Sequence, residues 1–96
     1  MEYCVYILWS EKLSRYYIGQ TENIEERLVK HNTIDKDRND FTQKGIPWNL
    51  CFTIDCKSRE QAIKIERQIK KMKSKKYIDN LRKYPEMRAR LLDKFT

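Results

Sequence analysis

Residues 3–19 read YCVYILWSEKLSRYYIG, and this stretch decides the fold. Tyr3 to Trp9 is an unbroken apolar run rich in β-branched and aromatic side chains, which predicts a buried strand. Ser10 to Ser14 is a polar turn, and Tyr16–Gly19 reads as a second strand, so the two form a hairpin. Side chains alternate faces along a strand, so Tyr6 and Tyr17 share a face only if paired residue numbers sum to an odd value. Tyr6 opposite Gly19 is one such pairing, and a one-residue slip would separate the phenols. The odd register is the expected one.

Downstream, Asn23-Ile-Glu-Glu26 has the pattern of a capping box and opens a helix to about His31. Residues 32–47 are polar and turn-rich and read as an exposed loop. Leu50 to Cys56 alternates, with Leu50, Phe52, Ile54 and Cys56 on one face of a half-buried strand. Ser58-Arg-Glu-Gln61 is a second capping box, opening a helix to about Lys73 with an apolar stripe of Ala62, Ile65, Ile69 and Met72. Two shorter helices follow, Lys75–Lys83 and Pro85–Lys94, the second with proline at a favoured first position. The order ββαβααα predicts an α+β fold in which a small three-stranded, mostly antiparallel sheet is flanked by helices.

Ninety-six residues, 40% hydrophobic and 36% charged, match one compact domain spanning 1–96, so any active site must lie on the surface of its one core. Lys and Arg outnumber Asp and Glu by 21 to 14, a net charge of +7 that favours polyanionic partners and also serves solubility. No stretch approaches the ~20 apolar residues of a membrane span. The apolar run at Tyr3–Trp9 is short for a secretory signal and follows an acidic residue. Three cysteines without a framework spacing predict reduced thiols and a cytoplasmic location. With a single histidine, a four-ligand zinc site is poorly supplied.

Several side chains stand out against this background. Glu66 falls inside the apolar stripe of its helix, where a carboxylate needs a cation, a metal or several donors; an i,i+4 ion pair with Lys70 would also satisfy it. Arg27 and His31 lie one turn apart, close to the line of Ile24 and Leu28. A guanidinium suits a phosphate and an imidazole can relay a proton, although a pair with Glu26 and a dipole-facing histidine are the plainer readings. Four of the six tyrosines, Tyr3, Tyr6, Tyr16 and Tyr17, sit in the hairpin. A phenol with a pKa near ~10 is a poor base without a cation's help, and packing alone accounts well for Tyr3 and Tyr16. Lys70, Lys71, Lys73, Lys75 and Lys76 place five cations in seven residues, more than a helix C-terminus needs, and form a candidate phosphate-backbone contact.

Taken together, Cys4-Val5-Tyr6, then Tyr17-Ile18-Gly19 eleven residues on, then Arg27, His31 and a helical Glu66 resemble the GIY-YIG nuclease superfamily. The resemblance runs from Tyr3 to about Leu81, and the segments FTQKGIPW and AIKIERQIKKMKSKKYI look like those of small stand-alone bacterial members. It implies a DNA endonuclease that hydrolyses phosphodiester bonds with one divalent metal, Mg²⁺ or Mn²⁺. Tyr6 and Tyr17 would contact the attacking water, one as general base. Arg27 would stabilise phosphate charge, His31 would support the tyrosine network, and Glu66 would ligate the metal. Cys4 replaces the usual glycine of the first motif, Gln20 stands where several relatives carry lysine or tyrosine, and Asn80 is the nearest counterpart of a late family asparagine. Without a separate DNA-binding domain, the expected cleavage is structure-selective or weakly sequence-specific, with a homodimer or a targeting protein as further partners. The alternative is a basic nucleic-acid-binding module that keeps the fold without turnover.

Overall fold

The computed structural model describes residues 3–37 and 41–96. Among these, strands β1 (Tyr3–Ser10), β2 (Arg15–Thr21) and β3 (Trp48–Cys56) form one antiparallel sheet in the order β2-β1-β3. The helices are α1 (Ile24–His31), α2 (Phe41–Lys44), α3 (Arg59–Met72), α4 (Lys75–Lys83) and α5 (Pro85–Lys94). This is the α+β arrangement the sequence predicts, with its strands and longer helices in the expected order.

β1 is the central strand, which is why its sequence does not alternate. Val5 and Ile7 face a cluster with Ile54, Ala62, Ile65, Ile69, Ile78 and Leu81, under α3, α4 and α5. Tyr6 and Leu8 face a second cluster with Trp48, joined by Tyr17, Ile24 and Leu28 on the α1 side. A strand covered on both faces needs apolar residues at consecutive positions. Full burial of Ile65 and Ile69, at 0% and 1% exposure, contributes about 1.5–3 kcal/mol each, which anchors α3 to the sheet.

The hairpin adopts the odd register: Tyr6 pairs with Gly19 and Leu8 with Tyr17, so both phenols project from the α1 side of the sheet. The helix starts also form as expected. Asn23 Oδ1 accepts from the Glu26 amide at 3.1 Å, and Ser58 Oγ accepts from the Gln61 amide at 3.1 Å. Gln61 departs from a simple capping box: its Oε1 accepts from the Lys57 amide and its Nε2 donates to the Leu92 carbonyl, tying α3 to α5.

Four details correct the sequence reading. A bulge between Ile7 and Leu8 of β1 leaves Cys51 as the extra residue of β3. Phe52, Ile54 and Cys56 stay on the α3 side, but Leu50 now pairs with Leu8 and is 41% exposed, so it leaves the expected face. Met72, at the end of α3, is 44% exposed and drops out of the apolar stripe. β3 starts two residues early, because Trp48 pairs with Ser10. Finally, the expected 32–47 loop contains the single turn α2; residues 38–40 of that loop lie outside the described residues.

Trp48 holds this segment in place. Its indole Nε1 donates to the Thr42 carbonyl at 2.6 Å, and its ring lies against Gly45, where an added Cβ would sit 2.5 Å from it. The Asn32 side chain, just after α1, accepts from the Trp48 amide at 2.6 Å and donates to the Trp48 carbonyl at 3.0 Å. One amide thus satisfies both backbone groups at the start of β3 and fixes the end of α1 to it. Asn32→Ala leaves both groups without this partner and should lower stability by about 1–3 kcal/mol in urea denaturation, whereas Lys36→Ala, on the exposed loop, should change it little.

Candidate active site

The Tyr6 ring runs from the central strand across β2 and ends over Gly19. A Cβ at residue 19 would lie 2.4 Å from the phenol oxygen, so only glycine leaves room for the ring. The phenol is 3.0 Å from Nε2 of His31, the last residue of α1. Tyr17 stacks beside Tyr6 with ring centroids 6.2 Å apart and meets His31 edge-on at 4.6 Å. Trp48 closes the far side of Tyr17 at 6.0 Å. Tyr6 and His31 are 2% and 8% exposed, so the contact between them is shielded from water.

Charge converges on the same phenol. Burial is the main influence and pushes the Tyr6 pKa well above its ordinary value. The adjacent Tyr17 raises it further, the Arg27 guanidinium lowers it, and the Glu66 carboxylate raises it. Arg27 is half-buried on α1, one turn before His31. Glu66 comes from α3 and its side chain is 18% exposed. The structure therefore brings Tyr6, Tyr17 and His31 into direct contact and sets Arg27 and Glu66 within electrostatic reach of them.

Glu66 also makes the ion pair expected from sequence alone, with Lys70 Nζ 2.9 Å from Oε1. Of the lysine cluster, Lys70 is thereby engaged, and Lys75 donates to the Ser14 carbonyl at 2.7 Å while lying 5.9 Å from the Trp9 ring. Lys71, Lys73 and Lys76 are exposed. Tyr3 and Tyr16 pack against the α3-side core, as the packing interpretation requires. The Tyr16 hydroxyl donates to Asp79 of α4, and burial first, then this bond, pushes its pKa up to about 12. Asn80 follows Asp79 on α4 and is half-buried, with its backbone carbonyl accepting from the Tyr84 amide at 2.8 Å. Cys4 is 9% exposed and paired between Thr21 and Asp55, where a side chain is accommodated and no glycine is needed. Asn32 and Trp48 brace His31 and Tyr17; Asn32 falls in the expected 32–47 loop and Trp48 in the gap between that loop and the expected strand, and the tryptophan behind Gly45 and Pro47 is the available signal.

Among the described residues, no three His, Cys, Asp or Glu side chains gather around a common point to hold a metal ion. Glu66 offers one partly exposed carboxylate, and its Lys70 partner is itself 54% exposed. A single carboxylate suits Mg²⁺ or Mn²⁺, since Mg²⁺ keeps several waters and takes its other ligands from substrate phosphate; it would suit zinc poorly. The donor set fits an open site for a hydrated cation.

The GIY-YIG catalytic domain family matches residues 2–79 of the 96-residue chain, and the chain belongs to that family. No curated protein and no solved structure gives a significant match. The family consists of endonucleases, so the chain has a nuclease-type function with DNA as the implied substrate. Among the described residues, no helix is long and apolar enough to cross a membrane.

The raised Tyr6 pKa has a measurable sign. The fold favours the protonated phenol, so this contribution is complete below the ordinary tyrosine value of about 10 and is lost as pH rises past it. Spectrophotometric titration should reveal a late-ionising component, and Tyr6→Phe should remove part of it and weaken the alkaline loss of stability. An unchanged late component in that variant would contradict the assignment.

Proposed function

We propose that the chain is a metal-dependent DNA endonuclease that hydrolyses phosphodiester bonds, with Tyr6, Tyr17, Arg27, His31 and Glu66 as its catalytic set. The observation that carries this reading is the buried Tyr6–His31 contact at 3.0 Å, with Arg27 and Glu66 both acting on the same phenol. Tyr6 holds its own proton at neutral pH, so it does not act as a free phenolate. It can instead pass that proton to His31 Nε2 while taking one from an attacking water, a relay with no net change on the phenol. Tyr17 borders the same imidazole and orients the water from the second side. Arg27 offers a planar fork of donors to the phosphate oxygens as negative charge grows on them. Glu66 would hold Mg²⁺ or Mn²⁺, which when bound supplies positive charge that acidifies water and neutralises the phosphate.

Lys70, Lys73, Lys75 and Lys76, at the end of α3 and the start of α4, would hold the DNA backbone without reading bases. Cleavage is then structure-selective or weakly sequence-specific, in a single cytoplasmic domain whose further targeting comes from a homodimer or a partner protein. The Glu66–Lys70 ion pair favours a second reading, a binding module without turnover in which Glu66 only neutralises its neighbour.

Assays on linear, nicked, flapped and branched DNA with Mg²⁺ or Mn²⁺ separate the two. Wild type should cut at least one substrate. Glu66→Ala should abolish cleavage and metal-dependent thermal stabilisation while the fold remains, and Arg27→Ala should lose on the order of 10²–10³ in rate with metal stabilisation intact. Wild-type cleavage by Glu66→Ala would remove the metal assignment; no cleavage by wild type on any substrate would leave the binding module.

A further inference from the structure

A groove of about 320 Å³ opens beside the candidate site, between the end of β2, α1 and the first turn of α3. Arg27 lines it, so it continues directly from the proposed catalytic set; Lys30 and Arg59 supply two further cations, and Tyr3 borders it. Two carboxylates also line it, Glu22 and Glu26. Glu26 is turned towards the α1 cap, 3.4 Å from Asn23 Nδ2. Arg59 and Glu66 are seven residues apart on α3, which returns to the same face after two turns, ~10 Å along the helix.

We propose that this groove is a phosphate subsite for the DNA strand leaving the cut, with Arg59 as its main ligand and Lys30 on its wall. The inference rests on the nuclease reading and extends it: the strand runs along α3 from Glu66 towards the helix N-terminus, and its backbone is gripped about two helical turns away from the scissile bond. Arg59 is exposed and is not one of the proposed catalytic residues, so its part is to bind substrate and not to act on the reacting atoms.

The test measures binding of fluorescent DNA by anisotropy across a salt series, without divalent metal, so that affinity is read independently of cleavage. Arg59→Ala should weaken binding roughly three- to tenfold and lower the log–log salt slope by about one. Arg59→Lys should restore the slope. In cleavage assays Arg59→Ala should raise KM with kcat unchanged, and the difference from wild type should vanish on a substrate whose strand ends one nucleotide beyond the cut on that side. Wild-type affinity and slope in Arg59→Ala would overturn the subsite even if the protein cleaves DNA. A reduced slope in Arg59→Ala, in a protein that cuts nothing, would keep the subsite and discard the nuclease reading.

Discussion

The Tyr6 phenol lies across Gly19 and meets His31 at 3.0 Å, and most of what is distinctive in this structure depends on that crossing. It requires the hairpin to pair residue 6 with residue 19, because any slip by one residue would put Tyr6 and Tyr17 on opposite faces of the sheet. It requires no side chain at residue 19. It also requires α1 to end where His31 can reach back to the sheet. The Asn32–Trp48 clamp enforces that last condition by joining the end of α1 to the start of β3. Trp48 then packs edge-on to Tyr17, so the same two residues brace both sides of the tyrosine pair.

The electrostatics follow from where this crossing sits. Tyr6 is buried, so its proton is held firmly; Arg27 pulls against that and Glu66 adds to it. A phenol in such a position is suited to passing a proton on rather than giving one up for good, and in the proposed relay the imidazole beside it is the acceptor. Glu66 pairs with Lys70, and the metal role proposed for it does not exclude that pair. Its ion pair with the largely exposed Lys70 stabilises little by itself, because surface pairs are screened. In the proposed mechanism a cation arriving with phosphate replaces that ammonium at small cost.

The central strand and the helices were legible in the sequence because their signals are local. A continuous apolar run marks β1, and cap residues mark α1 and α3. Gly19 opposite Tyr6 was legible as a register, although the reason for the glycine appears only when the ring is seen lying on it. What the sequence hid was non-local. The bulge at Cys51 resets the faces of β3, so Leu50 could not be placed by alternation alone. The Asn32–Trp48 clamp was not visible because it joins a residue of the expected loop to one just beyond it, 16 residues away in the chain. Arg27 and Glu66 stood out by position on their helices, but the plainer reading of Glu66 was equally visible, and the Lys70 pair is present.

A double-mutant cycle on the DNA-cleavage rate, using Tyr6→Phe, His31→Ala and the two combined, tests the proposed Tyr6–His31 relay at its source. If the pair works as one unit, each single change removes the relay and the double variant is no slower than the slower single. Multiplying losses in the double variant, or wild-type rates in both singles, would contradict it.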